Sequence, residues 1–431
     1  MQCLEEHYTE PSSGGFRLQN IYFINGGETM EERVKTEVFV PAFPTVGPEM
    51  LLQSRRSESH YPLNAPGIHY FFFARNAIWY TAKMLGLDRG EVLVPAYHHG
   101  VEIEALMDAG AEVKFYRIGE RFEVDLRDVE RKIGPNTTAL YLTHFAGFPG
   151  PVREMKKLAE KYDLPLIEDC ALSLFSMDGG LPLGITGDVA IFCLYKVLPV
   201  PNGGALVFNC TDRWYMAELP PPPASTTFSL MSSSLLRNMA LRGGAFGRTF
   251  RKLALGMGKG TMRASKINPV LTGSQHFNRD NVNLGVSWMT RRLLLTQNVA
   301  EIVEKRRRNY LFLLDRLRDV SATLFESLPQ GNVPLFYPLL VEDNRATMER
   351  LLARGIEAVD FWRDFHPACN AREFPEAAKL RTSIVEIPCH QDLTLETMAK
   401  IAKAVREVMS TEPSPIREKS QKVRTAGRYA V

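Results

Sequence analysis

The chain has 431 residues, 45% hydrophobic and 23% charged, which excludes a disordered polymer and is long enough for two packed cores. Fifty-two Lys and Arg against 49 Asp and Glu leave a formal charge of +3, too small a surplus to wrap nucleic acid, so any basic site must be local. The start, MQCLEEHYTE, has adjacent acids where a secretory signal needs a basic and then an apolar stretch, and no run of about 18 apolar residues occurs. The six cysteines (Cys3, Cys170, Cys193, Cys210, Cys369 and Cys389) show no metal-type spacing. The expectation is a soluble, cytoplasmic protein with reduced thiols and no metal site.

Residues 1–60 are punctuated by Pro11, Gly14, Gly15, Gly26, Gly27, Pro41, Pro44 and Pro48, which predicts an irregular N-terminal arm. From His69 the pattern changes. HYFFFA predicts a strand, RNAIWYTAKMLG a helix, EVLVPAY a strand, HGVEIEALMDAG a helix and EVKFYRI a strand. VDLRDVERKI follows as a helix opened by Asp125, TALYLTHFAG as a strand and REMKKLAEKY as a helix, and LPLIEDCA, GDVAIFCLY and GGALVFN supply three more strands. Strands separated by helices of about three turns need crossovers over a sheet face, so residues 61–215 are predicted to form a large α/β domain around a mostly parallel sheet.

Pro220 to Pro223 and the Ser-rich stretch 225–234 predict a break. Between Leu219 and Arg279 stand nine Lys or Arg and no Asp or Glu, which leaves the rest of the chain net acidic and marks 216–283 as a basic Pro/Ser/Gly-rich insertion. TRRLLLTQNVAEIVEKRRRNYLFLLDRLRDV carries one long helical period and predicts a connecting helix. VPLFYPLLVE, ATMERLLARG, SIVEIPCH and LETMAKIAKAVREVM then alternate as strand and helix, predicting a smaller C-terminal α+β domain over 284–410, with 411–431 as a flexible tail. Trp79, Tyr80 and Trp288 fall in helical patterns and predict core positions.

Ligands of open α/β sheets lie beyond the carboxyl ends of the strands, so polar residues just after apolar runs are the candidates. They are Ala74, Arg75 and Asn76 after HYFFF, His98 and His99 after VLVPAY, Asp169 after LPLIE, and Lys196 after VAIFCLY. An Asp and a Lys that both end buried strands are costly unless something pairs them. A pyridoxal phosphate site would do so, with the Lys amine condensed on the aldehyde and the Asp keeping the pyridine nitrogen protonated. The phosphate would then sit at the N-terminus of the helix beginning near Arg75. Singly, each signal has a structural reading: a Lys is ordinarily solvated, and an Asp after a strand is ordinarily a cap or turn residue. His144 after ALYLT reads as a satisfied wall residue, and Asp188 as a turn or helix-dipole partner.

Taken in order, and in the pieces VLVPAYHHGVEIEALMDAGAEVKFYRI, YLTHFAGFPGPVREMKKLAEKYDLPLIEDCA, GDVAIFCLYKVLPVPNGGALV and VNLGVS, the chain resembles the DegT/StrS-type aminotransferases over residues 61–410. These are pyridoxal-phosphate enzymes that aminate nucleotide-linked keto sugars. The resemblance implies an aspartate-aminotransferase-like fold (PLP fold type I) with Lys196, spaced as in the family from Gly203 and Gly204, as the catalytic lysine that shuttles the proton. It implies Asp169 on the pyridine nitrogen, His99 in place of an aromatic ring stacked on the cofactor, and Ala74, Arg75 and Asn76 around the phosphate. Asn283 matches an Asn lent to the partner subunit's site, which implies a homodimer with shared active sites. Leu172 stands where many members have a Gln that bonds the ring hydroxyl, and Gly285 where an Arg is common. The segment from Asp188 to Lys196 is shorter than usual, so Cys193 matches a phosphate-binding Ser by count from Asp188 but not from Lys196.

The implied reaction takes an amino group from an amino acid, glutamate by family analogy, to a keto sugar, in polysaccharide or secondary-metabolite biosynthesis. Two alternatives stand beside it: a regulator or scaffold that kept the fold, motivated by Leu172 and Gly285, and a transaminase of a non-sugar cyclic ketone. The basic span 219–279 reads first as a structural insertion over the site or dimer interface, then as a grip on substrate phosphate, and last as a membrane-surface contact.

Overall fold

The computed structural model describes residues 39–54, 60–209, 216–242 and 277–410. The expectations for most of the arm, for part of the basic insertion and for the 411–431 tail lie outside these residues, as do Cys3 and Cys210. The other four cysteines are free and buried.

The large domain is built from β1 (Ile68–Phe71), α1 (Ala74–Met84), β2 (Glu91–Pro95), α2 (Val101–Asp108), β3 (Glu112–Tyr116), α3 (Leu126–Lys132), β4 (Thr137–Thr143), α4 (Val152–Lys161) and β5 (Leu166–Asp169). A short hairpin of β6 (Met177–Asp178) and β7 (Leu181–Pro182) follows, then β8 (Val189–Cys193) and β9 (Gly204–Phe208). Seven of these strands form one sheet in the order β1-β9-β8-β5-β4-β2-β3. Strands β3, β2, β4, β5 and β8 pair in parallel, and β9 runs against both of its neighbours. Every residue of β5, β8 and β9 is buried, the pattern of strands covered on both faces, and the reason they read as continuous apolar runs. The chain leaves β2 outward to β3 and returns on the other side to β4, so the crevice for a ligand opens at the carboxyl ends of β2 and β4. Asp125 opens α3 as expected, its side chain accepting from the Asp128 N–H at 3.0 Å.

The Ser-rich stretch is helical rather than a break: α5 spans Ala224–Arg242. Its sequence has weak intrinsic helix preference, and tertiary contacts supply what propensity does not. Ser234 Oγ accepts from the Val46 N–H at 2.8 Å, Asn238 donates to Thr45 Oγ1 at 2.9 Å, and Arg237 and Arg242 pair with Glu357 and Glu49. The stretch 39–54 thereby forms a strap. Thr45 donates through its N–H and hydroxyl to Asp392 at 2.7 and 3.0 Å, and Val40 bridges Ile356.

The single connecting helix is instead two, α6 (Trp288–Leu294) and α7 (Val299–Leu317). Thr296 and Gln297 donate side-chain hydrogen bonds to the Leu293 carbonyl, ending α6, and Asn298 caps α7 by accepting from the Glu301 N–H. Trp288 is 57% exposed, so its predicted core position is wrong: it stands at the first position of α6, facing solvent. Trp79 is half-buried with its indole N–H on Asp108 at 2.8 Å. The small domain continues with β10 (Phe336–Leu340), α8 (Asn344–Leu352), β11 (Val359–Asp360), α9 (Pro375–Ser383), β12 (Ile384–Pro388) and α10 (Leu395–Ser410). Its three strands form an antiparallel sheet with β12 in the centre. No helix among the described residues is long and apolar enough to cross a membrane.

Candidate active site

The crevice at the carboxyl ends of the strands gathers most of the residues singled out in the sequence. Asp169 ends β5 and is buried, with one oxygen accepting from the Tyr141 hydroxyl at 2.9 Å and the other from the Ala171 N–H at 2.9 Å. Burial raises its carboxyl above the ordinary value, against the pull of those two donors and of Lys196. Tyr141 lies on the adjacent β4, two residues before Thr143, which is in register with Asp169. The Thr143 hydroxyl is buried without a hydrogen-bond partner.

Lys196 lies just beyond β8, in a turn where Val197 and Leu198 donate backbone bonds to the Leu194 carbonyl. Its own N–H donates to Cys193 Sγ. Tyr195 links this turn to α1: Arg75 donates to its hydroxyl oxygen, and the hydroxyl bonds to Cys193. Arg75, buried in the first turn of α1, also stands over the Phe73 ring at 5.3 Å. The backbone amide of Ala74 lies against Gly204, where an added Cβ would come within 2.4 Å of Ala74 N. A side chain at 204 would push the helix terminus out of place, which explains the second Gly of the pair.

His99 follows β2 with its ring edge-on to Trp362 at 6.1 Å. Burial, and then the charges of Lys196, Arg75 and Arg381, push its pKa down to about 3, so the imidazole is neutral. Its Nδ1 is buried without a partner. Glu102, in the first turn of α2, accepts from the His99 and Gly100 N–H groups at 2.8 and 3.1 Å and so fixes the loop that carries His99. Burial and the neighbouring Asp169 push Glu102 up to about 7. From the small domain, Glu386 on β12 acts electrostatically on Lys196 and on Tyr97, and burial pushes its carboxyl up to about 8. An aromatic wall of Tyr97, Phe122, Phe145, Phe361 and Trp362 closes the crevice, with Tyr97 centroids 5.3–5.7 Å from the other four.

Two of the candidate residues are engaged elsewhere. The Asn76 side chain donates to the Asn281 carbonyl at 2.6 Å and its N–H bonds to the Phe73 carbonyl, so it anchors the chain before α6 and does not line the crevice through its amide. Asn283 is exposed and accepts from the Tyr80 hydroxyl at 2.7 Å, outside the cluster around Lys196. Leu172 is buried. Gly285 donates to the Pro220 carbonyl at 2.8 Å, and a Cβ there would lie 2.8 Å from the Leu219 carbonyl, which leaves no room for an Arg.

His144 is the satisfied wall residue its position suggested. Its Nδ1 accepts from the Gly150 N–H at 2.9 Å and its Nε2 meets Glu168 at 3.0 Å. Glu168 is also held by the N–H groups of Gly184, Thr186 and Gly187. Burial alone would raise that carboxyl, but the His144 side chain and then the Gly187 and Gly184 N–H groups hold it below its ordinary value. His144, Glu168 and Cys170 lie close enough to suggest a metal site, yet the donors of His144 and Glu168 are already spent. Asp188 binds Lys156 at 2.8 and 2.9 Å and accepts from the Leu166 N–H, a structural role. Sequence reading missed Tyr141, Thr143, Glu102, Tyr195 and Glu386. The first two carry the signal of an alternating polar pair on one strand face, whereas Glu386 acquires its position only through the docking of the small domain.

Residues 75–232 match the model of the DegT/DnrJ/EryC1/StrS aminotransferase family, a match that spans most of the large domain and the start of α5. The chain is similar to GDP-perosamine synthase of Vibrio cholerae, with 31% identity over 137 residues covering 31% of this chain and 37% of that protein. It is also similar to UDP-4-amino-4,6-dideoxy-N-acetyl-beta-L-altrosamine transaminase of Campylobacter jejuni, with 33% identity over 141 residues covering 32% of this chain and 38% of that protein. The matches thus span well under half of those relatives. In fold, the chain resembles Helicobacter pylori PseC, an aminotransferase involved in pseudoaminic acid biosynthesis, at a TM-score of 0.61 and 18% identity over 87% of this chain and all of that one. The aminotransferase TlmJ of Streptoalloteichus hindustanus superposes at a TM-score of 0.59 with 19% identity over 86% of this chain and 99% of that one.

Proposed function

We propose that the protein is a pyridoxal-phosphate-dependent aminotransferase that moves an amino group from an amino acid, glutamate by family analogy, to a nucleotide-linked keto sugar. The observation that carries this reading is that Lys196 lies close enough to act electrostatically on both the buried Asp169 and the His99 imidazole, in a domain that matches the model of that family. The residues fit the cofactor: the partnerless His99 Nδ1 and Thr143 hydroxyl await a ligand's polar groups, and Arg75 with the Ala74 amide supplies positive charge and an N–H at a helix start.

Lys196 would hold the cofactor, Asp169 its ring nitrogen, His99 its ring face, and Ala74 and Arg75 its phosphate. When bound, pyridoxal phosphate supplies an aldehyde that takes up nitrogen and a ring that withdraws electrons from the carbon being deprotonated. Asp169, held by Tyr141 on one oxygen and Ala171 on the other, keeps a fixed orientation toward the ring nitrogen. Lys196 Nζ would take a proton from the α-carbon of the amino donor and deliver it two atoms away, across the nitrogen, and later do the reverse for the acceptor. The neutral His99 adds no positive charge that would compete for the phosphate or the donor carboxylate. The aromatic wall around Tyr97 keeps bulk water from the site.

The exposed Asn283, oriented by Tyr80, and the exposed Trp288 support a homodimer in which each subunit completes the other's site. The test is to incubate the protein with pyridoxal phosphate, glutamate and a panel of GDP- and UDP-linked keto sugars, the carriers named for the similar proteins. The reading expects 2-oxoglutarate and an amino sugar in equal amounts by mass spectrometry. Failure to form an oxo acid from glutamate or any other amino acid contradicts it.

A further inference from the structure

The turn that carries Lys196 presents the carbonyls of residues 196 and 197 to the junction with the small domain, and buried carbonyls need donors. Both are met by Arg306, at the middle of α7, whose Nη2 donates to the Lys196 carbonyl at 3.2 Å and to the Val197 carbonyl at 3.3 Å. Its Nη1 donates to the carbonyls of Pro334 and Leu335 at 3.2 and 3.1 Å, and its Nε to Gln391 Oε1 at 2.8 Å. The Gln391 amide returns to the Val197 carbonyl at 2.8 Å, closing the network. All five guanidinium N–H groups therefore find acceptors, and Arg306 is fully buried. Burial pushes its pKa down to about 10, so it stays charged near neutral pH, with no ion pair to it among the described residues.

A charged group so placed costs free energy that an apolar side chain would avoid. The fork ties three pieces of chain at one point: the lysine turn, the segment entering β10 and the segment leaving β12. We propose that Arg306 is a positioning residue for Lys196, holding the backbone of the lysine turn against the small domain so that the amine meets its reaction partner in a fixed geometry. A lysine at 306 has three donors on one nitrogen and cannot span the five acceptors. The inference deepens the aminotransferase reading, because it concerns the residue that would secure the cofactor.

The experiment compares wild type, Arg306→Lys and Arg306→Ala at a temperature where far-ultraviolet circular dichroism and melting show all three folded. The first readout needs no cofactor: reductive methylation by formaldehyde and borohydride, with the rate at Lys196 read by peptide mass spectrometry relative to exposed lysines. The second is the rate at which the visible band grows when pyridoxal phosphate is added. The proposal expects both rates in Arg306→Ala to change, the second falling about tenfold to a hundredfold, as for a reactive group displaced by a fraction of an ångström or more. Methylguanidinium, filling the space left in Arg306→Ala, restores the rates, and Arg306→Lys does not match wild type. Wild-type rates at Lys196 in Arg306→Ala overturn the proposal, as does a loss that follows only the melting temperature and is not rescued. If wild type itself grows no band, the cofactor reading fails while the methylation readout still decides the role of Arg306.

Discussion

Glu386 lies between Pro338 of β10 and Val359 of β11, half-buried on the central strand of the small sheet, where its charge is felt by Lys196, Tyr97 and Asp360. Its carboxyl is raised from an ordinary value of 4.5 to about 8. The folded state therefore binds this proton more tightly than the unfolded chain, and stability falls as pH rises from 4.5 toward 8, then levels. Glu386→Gln, which mimics the protonated acid, should raise the melting midpoint at pH 9 by about 1 °C for each kcal/mol relieved in a chain of this length, with the difference vanishing near the ordinary glutamate range. Calorimetry across pH reads this, and equal midpoints at pH 9 contradict it. Asp169→Asn removes the charge that Tyr141 and Ala171 orient. The substitution should lower single-turnover amine transfer by about a hundredfold or more while pyridoxal phosphate still reaches Lys196. A rate near wild type would remove Asp169 from the mechanism.

At the scale of elements, the close approach of β9 to the start of α1 is the most specific packing demand in the site. Gly204→Ala would place a methyl group against Ala74 N and Phe73 C, at 2.4 and 2.5 Å, so the helix terminus must shift. The expected result is a stability loss of about 1–3 kcal/mol together with weaker pyridoxal phosphate binding in an absorbance titration. Gly134→Ala, which meets nothing within 4 Å, should leave both unchanged. Binding as tight as wild type in Gly204→Ala would separate α1 from the phosphate.

The strands and the residues at their ends were legible because β5, β8 and β9 are buried throughout and Asp169 and Lys196 interrupt apolar runs. The helix α5 was not legible, since its Ser-rich sequence is held by contacts to Thr45, Val46, Glu49 and Glu357, distant in the chain. The division of α6 from α7 was hidden because the apolar period continues across the residues whose side chains end one helix and cap the next. Arg306 sits in a basic run that reads as a solvated face, and its bond to Lys196 spans 110 positions.

For the whole molecule, the strap of residues 39–54, α5 and the small domain form a continuous set of contacts that places Glu386, Trp362 and Arg306 over the large sheet. The proposed homodimer with shared sites has a consequence that a single chain cannot have. Lys196→Ala and Asn283→Ala proteins should each be weakly active alone. Mixed under subunit exchange, they should recover about a quarter of the wild-type sites, because one site in each mixed dimer is intact. Full activity of Asn283→Ala alone, or no recovery on mixing, would contradict the shared site.

The central claim is that Lys196 is the amine that holds the cofactor, and the most direct measurement is covalent. The protein is loaded with pyridoxal phosphate, reduced with borohydride, digested and sequenced by mass spectrometry. The account predicts a single pyridoxyl label on Lys196, absent from Lys196→Ala and diminished when glutamate is added before reduction. No label, or a label spread over other lysines while Lys196 stays unmodified, would contradict it.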